Sequence, residues 1–220
     1  MIVAIDGPAG AGKSTLSREL ARRLRFRFLD TGAMYRVVAL AAMRRRVDWS
    51  DEASLGRLAA DVAISFSDDR VLLDGEDVTE EIRTPAVTAA IHYVADAPAV
   101  REHMVEQQRR IGEGGNIVTE GRDQGTVAFP HAACKIFLTA SPEERARRRV
   151  EDLRRRGQSA SFEEVLAEQN ERDRRDQTRS VGRLIKAGDA VEVCTDGMTP
   201  DEVVRRMEEI VREAQKRRNV

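Results

Sequence analysis

An α/β fold with a central parallel sheet flanked by helices is predicted, on three observations. Short apolar runs alternate with stretches of helical period along most of the 220-residue chain. That rhythm belongs to a parallel sheet covered on both faces. A glycine-rich loop joins the first apolar run to the first helical stretch. The length suits a single domain, 1–220, with room for an insertion and for a sizeable core.

Residues 2–5 are apolar and close on Asp6 and Gly7, as expected of a buried strand. From Ser14 the period turns helical, with Leu16, Leu20 and Leu24 on one face and Arg18, Arg22 and Arg23 elsewhere. Residues 26–29 form a second strand and 32–46 a second helix. The middle departs from this rhythm. A helix over 51–61 leads into a hairpin of strands 63–67 and 70–74 that turns at Asp68-Asp69, with a further turn at Asp74-Gly75. Two helical stretches follow, divided near Pro98. An antiparallel ribbon sits badly inside a parallel sheet, so residues 54–97 or thereabouts are read as an insert.

The alternation resumes with strands at 117–119, 136–138 and 191–193. Ser141-Pro142-Glu143-Glu144 starts a helix, with Pro in the first turn and carboxylates near the positive end of the dipole. Ser161-Phe162-Glu163-Glu164 offers a capping box for another. Between them Arg154-Arg155-Arg156-Gly157 is a charged, breakable junction.

Composition excludes several classes. Lys and Arg number 37 against 38 Asp and Glu, a net charge of −1. That balance is not the basic footprint of a protein that holds nucleic acid by bulk charge. Aromatic residues are 4% of the chain, which leaves few platforms for stacking bases. Cys134 and Cys194 build no disulfide framework, and His92, His103 and His131 lack zinc-ligand spacing. The longest apolar run, 37–43, has seven residues, well short of the about 18 of a membrane helix. The amino terminus has no basic segment leading into an apolar one. A cytoplasmic monomer with no membrane or nucleic-acid partner is the expectation. Arg outnumbers Lys by 33 to 4, so each lysine carries information.

One of those lysines closes the motif Gly7-Pro8-Ala9-Gly10-Ala11-Gly12-Lys13-Ser14, which fits G-x-x-x-x-G-K-[ST] between a strand and a helix. Glycines let successive backbone N–H groups turn inward on phosphate oxygens, and the helix start adds unpaired N–H groups and partial positive charge. Lys13 reaches the β- and γ-phosphates, and the Ser14 hydroxyl can ligate Mg²⁺. Residues Gly7 to Thr15 are therefore the expected site of a nucleoside triphosphate with Mg²⁺, which by itself does not separate a kinase from a GTPase, a motor or a transporter ATPase. A glycine turn that binds nothing is the rival reading. No N-K-x-D guanine-reading motif occurs.

Three further clusters bear on the acceptor: Leu29-Asp30-Thr31-Gly32-Ala33-Met34-Tyr35-Arg36, Glu120-Gly121-Arg122-Asp123-Gln124-Gly125-Thr126, and the run from Glu171 to Arg179. The first two follow strands, and strand carboxyl ends are where ligands bind in an open α/β sheet. With "IDGPAGAGKST", the segments "LDTGAMYR", "LDGEDVTEEIRTPAV", "EGRDQGTVAFP" and "ERDRRDQTR" stand in order and spacing such that the chain resembles bacterial cytidylate kinases along essentially its whole length.

The resemblance implies a P-loop kinase core with a small α+β monophosphate-binding insert (about 54–97) and a helical lid (about 149–165). It implies transfer of the γ-phosphoryl group of ATP to CMP or dCMP, a step of pyrimidine nucleotide metabolism. Carried over by position, it assigns Arg36, Arg122 and Arg179 to the acceptor phosphate, Arg172 and Asp176 to the ribose, and Arg101 and Asp123 to cytosine. Lys13, Arg122 and Arg179 are then the catalytic cations. Thr31 stands where the family commonly has Ser near the acceptor. Tyr35 falls in the same substrate-binding segment, although by residue type it packs rather than reacts. His92 replaces a Ser found in many relatives near the base, and no contact is assigned to it.

The residues admit duller readings. Arg122-Asp123 could be a surface turn pair, and Arg36 could extend a solvated helix face. The 172–179 run could be a helix laced with pairs such as Arg172–Asp176. Arg145, Arg148 and Arg149 could touch phosphate as lid residues or merely face solvent. For Mg²⁺, Ser14 is the direct candidate and Glu120 resembles a carboxylate that holds metal-bound water, with Asp30 as its rival. Other functions weighed are a kinase of similar build for UMP, AMP or a shikimate-like acceptor, and a nucleic-acid-binding module that uses ATP as a switch.

Overall fold

The structure, a computed structural model, describes residues 1–67, 69–155 and 157–218. Asp68 of the expected hairpin turn and Arg156 of the expected junction lie outside the described residues. The first half of the chain runs β1 (Ile2–Asp6), α1 (Lys13–Leu24), β2 (Arg27–Asp30), α2 (Thr31–Arg44), α3 (Glu52–Asp61), β3 (Ile64–Ser67), β4 (Arg70–Leu73) and β5 (Glu76–Asp77). The second runs α4 (Pro85–Ala95), α5 (Pro98–Glu113), β6 (Ile117–Gly121), β7 (Cys134–Thr139), α6 (Pro142–Arg155), α7 (Phe162–Thr178), β8 (Val191–Cys194) and α8 (Pro200–Arg218). Two compact units result: Met1–Leu29 with Gly114–Val220, and Asp30–Glu113.

In the first unit a five-stranded sheet has the order β2-β6-β1-β7-β8. β1 pairs in parallel with β6 and β7, and β7 with β8. With a neighbour on each edge and a covered layer on each face, β1 needs an unbroken apolar run, and Val3, Ala4 and Ile5 are fully buried. Leu16 and Leu20 of α1 and Val204, Met207 and Val211 of α8 pack into the same core as Ile5, Ile136 and Leu138. Parallel register sets the strand ends side by side, with Ile5 opposite Glu120 and Asp6 opposite Gly121. β6 runs two residues beyond its apolar stretch because pairing to β1 carries it to Gly121. That extension makes Glu120 a strand residue rather than a loop residue.

α6 and α7 form an antiparallel pair with a small core of Ala146, Val150 and Val165, against which Leu153 and Phe162 pack. The serine half of the expected capping box is present: Glu164 N donates to Ser161 Oγ at 3.3 Å, while the Ser161 hydroxyl donates to Glu163 Oε2 at 2.8 Å.

In the second unit α2 begins at Thr31, one residue before the expected start, because the Asp30 carboxylate caps it and accepts from Ala33 N at 2.9 Å. It stops at Arg44, short of the expected Arg46, whose φ of 54° ends the right-handed helix. The hairpin gains a strand that sequence pattern did not show. β5 pairs antiparallel with β4, Leu73 opposite Glu76, and two residues are too few to display a period. Thr84 caps α4 with Pro85 in its first turn. Trp49 stacks on Tyr93 with ring centroids 5.1 Å apart. Among the described residues no helix is long and apolar enough to cross a membrane.

Candidate active site

The first unit gathers most of the expected residues where β1, β6 and α7 end. The loop between β1 and α1 leaves the sheet at Gly7, where a Cβ would lie 1.9 Å from the Leu138 carbonyl oxygen of β7. No side chain fits there, so the loop can turn back only with glycine. Lys13, at the first position of α1, is buried and donates through Nζ to Pro8 O at 2.7 Å. Burial, reinforced by the Arg122 guanidinium, pulls its pKa down to about 7, against the opposing influence of Glu120.

Ser14 Oγ donates to Glu120 Oε1 at 2.6 Å. This pair is the test of fit for Mg²⁺, which takes hydroxyl and carboxylate oxygens and keeps several waters. A hydroxyl and a buried carboxylate in contact beside the phosphate loop suit that ion. Asp30, the rival carboxylate, is occupied as the cap of α2.

The loop after β6 is fixed by the carboxylate that ends β1. The buried Asp6 carboxylate accepts from Gln124 N at 2.8 Å and from Gly125 N at 2.7 Å. Burial pushes its carboxyl up to about 6, partly opposed by those two amides. Thr119 Oγ1 donates to Gln124 Oε1 at 2.7 Å, also buried. The segment therefore leaves β6 in one conformation and runs into a wide helical turn over Gln124–Ala128.

Asp123 is buried, and Arg122 donates through Nε to Asp176 Oδ2 at 2.8 Å. The surface-turn reading of Arg122-Asp123 is thereby removed. Asp176 also faces Arg179 Nη1 at 3.6 Å. Burial alone would raise the Asp176 carboxyl, yet Arg122, then Arg179 and Arg172, hold it below the ordinary value. The same exchange raises Arg122, since Asp176 and Glu120 outweigh the cost of burying its charge. Arg179 caps the end of α7 and donates to Gly182 O at 2.6 Å. The ion-laced reading holds for the outer face of α7, where Arg174 pairs with Glu171.

The three arginines expected in a lid separate. Arg149 faces solvent and pairs with Asp152, and Arg148 donates to Glu144 and Thr195. Arg145 is buried against the glycine-rich loop.

The second unit holds the remaining candidates. Thr31 and Tyr35 are buried on the first turns of α2. Arg36 donates to Ile82 O at 2.9 Å and Thr88 Oγ1 at 2.8 Å, so it is no solvated-face residue. Arg101 is buried, donates to Ala95 O at 3.0 Å, and sits over the Tyr35 ring, 5.4 Å from its centroid. His92 Nδ1 lies 2.7 Å from Ala89 O, and its ring is tilted against Tyr93.

Asp6, Arg145, Gln169 and Asp173 are the site residues that motif reading missed or left undecided. A signal existed for Asp6, a carboxylate ending a buried apolar strand. None existed for Asp173 within a run of charges.

Comparison with known proteins gives a consistent result. A family model described as "Cytidylate kinase" matches residues 3–214. The chain is 56% identical to a cytidylate kinase of Rhodopirellula baltica, covering 97% of this chain and 93% of that one. It is 54% identical to one from Pelotomaculum thermopropionicum, covering 92% of each. It is 49% identical to one from Mycobacterium leprae, covering 97% and 96%. The solved structure of an uncharacterized protein from Eubacterium ventriosum matches with TM-score 0.52 at 11% identity, over 95% of this chain and 96% of that one, a likeness of fold alone.

Proposed function

The chain belongs to the cytidylate kinase family, enzymes that move the γ-phosphoryl group of ATP to CMP or dCMP, and we propose how its residues divide that work. Gly7 to Thr15 hold the triphosphate of ATP, with Lys13 on the β- and γ-phosphates. Ser14 and Glu120 would hold Mg²⁺, which supplies charge neutralisation at the phosphates when bound. Arg36, Arg122 and Arg179 bind the acceptor phosphate, Arg172 and Asp176 the ribose, and Arg101 and Asp123 the cytosine. Thr31 offers a hydroxyl near the acceptor, and Tyr35 supports Arg101 through its ring.

Transfer is direct and in line. A phosphate oxygen of CMP bonds to the γ-phosphorus as the bond from that phosphorus to the β,γ-bridging oxygen breaks, and ADP leaves. CMP's phosphate is already anionic at neutral pH, so no general base is required. The protein's share is alignment and neutralisation, to which fixed guanidinium forks are suited. Segments at about 54–97 and 149–165 act as monophosphate-binding insert and lid, and lid closure keeps water from taking the phosphoryl group. We place the enzyme in the cytoplasm, as a monomer in pyrimidine nucleotide metabolism, acting on small molecules and on neither nucleic acid nor membrane.

The observation that carries the base assignment is Asp123, a buried carboxylate directly after the paired Arg122. A carboxylate accepts from the exocyclic amine of cytosine, whereas uracil presents a carbonyl there. An unmatched buried acceptor costs about 1–3 kcal/mol, so Asp123→Asn is expected to narrow the CMP-over-UMP preference by roughly tenfold. Initial rates of ADP formation with CMP, dCMP, UMP, AMP and shikimate test both claims. An Asp123→Asn enzyme with wild-type discrimination would remove Asp123 from the base site.

A further inference from the structure

Arg145 stands in the first turns of α6 with its side chain 4% exposed, and it is bonded to three separate segments. Nη1 donates to Ala9 O at 2.9 Å, inside the glycine-rich loop. The same nitrogen donates to Asp173 Oδ2 at 2.6 Å, on α7. Nε donates to Ala140 O at 3.1 Å, just past β7. Gln169, one turn before Asp173, returns a bond from Nε2 to Arg145 O at 3.3 Å. The fit is close enough that a Cβ on Gly10 would lie 2.9 Å from Gln169 Nε2 and 3.2 Å from Arg145 Cβ. Asp173 lies one residue after Arg172 and three before Asp176.

We propose that Arg145 is a positioning residue that couples the donor loop to α7, so that the loop's shape and the placement of Arg172 and Asp176 are set together. The inference rests on the reading above that α7 carries acceptor contacts. A guanidinium presents its donors in a rigid plane, so Ala9 and Asp173 cannot shift independently while both are bonded to one nitrogen. Buried in this way, neither bond can be exchanged for water without cost. The coupling therefore runs through Ala9, Arg145 and Asp173. When ATP fixes the loop, α7 is ordered for CMP, and by reciprocity CMP favours the ATP-binding form of the loop.

Calorimetric titration of CMP, with and without saturating adenosine β,γ-imidotriphosphate and Mg²⁺, measures this coupling directly. In the wild type the analogue is expected to tighten CMP by about fivefold or more. In Arg145→Met the ratio falls to near one and kcat drops by about tenfold, while Arg147→Met, at an exposed position of the same helix where the side chain pairs with Glu144, changes neither. Arg145→Lys, which keeps the charge but not the fork, falls between. Should Arg145→Met fail to fold, the double variant Arg145→Met/Asp173→Leu, which leaves no unpaired charge, is read with the same expectation.

A ratio near one in the wild type, or a wild-type ratio in the Met variant, overturns the proposal. The assignment of α7 is checked separately by Asp176→Asn. A raised KM for CMP there, beside an unchanged ratio in Arg145→Met, overturns the coupling alone. An unchanged KM removes the acceptor role of α7 and the inference with it.

Discussion

The inner and outer ends of the α6–α7 pair use one residue type in two ways. Arg145 is 4% exposed and bonded to three segments, whereas Arg155 on the same helix is 71% exposed and pairs locally with Glu151. Arg122 and Lys13 belong with Arg145, and Arg174 and Arg212 with Arg155. An exposed i,i+4 pair contributes about 0.3–0.5 kcal/mol and is screened by salt. A buried cation with fixed partners has a strong effect on its neighbours' protonation, and its loss strands a partner away from water. Residue identity therefore says little in a chain this rich in arginine; what separates the two groups is how far the charge is buried.

The largest break in that contrast comes from the buried lysine of the glycine-rich loop. Lys13→Met is expected to lower kcat/KM by about 10³, on the scale of removing one oriented charge from a phosphoryl-transfer site. Its lowered pKa, about 7, adds a second signature. A triphosphate beside the amine favours the charged form, so at pH 7.5 nucleotide binding takes up a fraction of a proton. Calorimetry in buffers of differing ionisation enthalpy reads that uptake, and Lys13→Met should abolish it.

A smaller effect belongs to Asp6. Its folded pKa, about 6, lies above the ordinary 3.8. Its contribution to stability is therefore fully present below about pH 3.8 and lost as the pH rises through about 6. Relative to Asp6→Asn, the wild type should lose on the order of 1–3 kcal/mol between pH 4 and 7 in denaturant unfolding. Parallel pH profiles for the two proteins would show that the carboxyl is not strained by burial.

At the outer end, Arg155→Ala should change stability by no more than about 0.5 kcal/mol and leave kcat alone. A loss approaching that of the Lys13 variant would erase the distinction between the two ends.

Much of the parallel sheet was legible because its strands are buried on both faces and read as unbroken apolar runs, as at Val3 to Ile5. The glycine-rich loop was legible because close backbone approach admits no substitute at Gly7. β5 was not, since two paired residues carry no period, and α2 starts one residue earlier than its pattern shows because Asp30 both ends a strand and caps a helix. In the site, Asp123 and Arg122 stood out within a distinctive loop. Arg145 and Asp173 did not, because burial across segments distant in sequence is invisible in a run of alternating charges. By pattern Asp6 only ends an apolar run, and its hold on Gln124 and Gly125 follows from the parallel register that sets β1 beside β6.

The stack of Trp49 on Tyr93 has an optical consequence. Trp49 is the chain's single tryptophan, and both rings lie within the unit Asp30–Glu113. Excitation at the indole band therefore interrogates that unit alone. Nucleotide titrations followed by intrinsic fluorescence will report local rearrangement around α4 without a label, while events at the glycine-rich loop register only if they propagate to that ring pair.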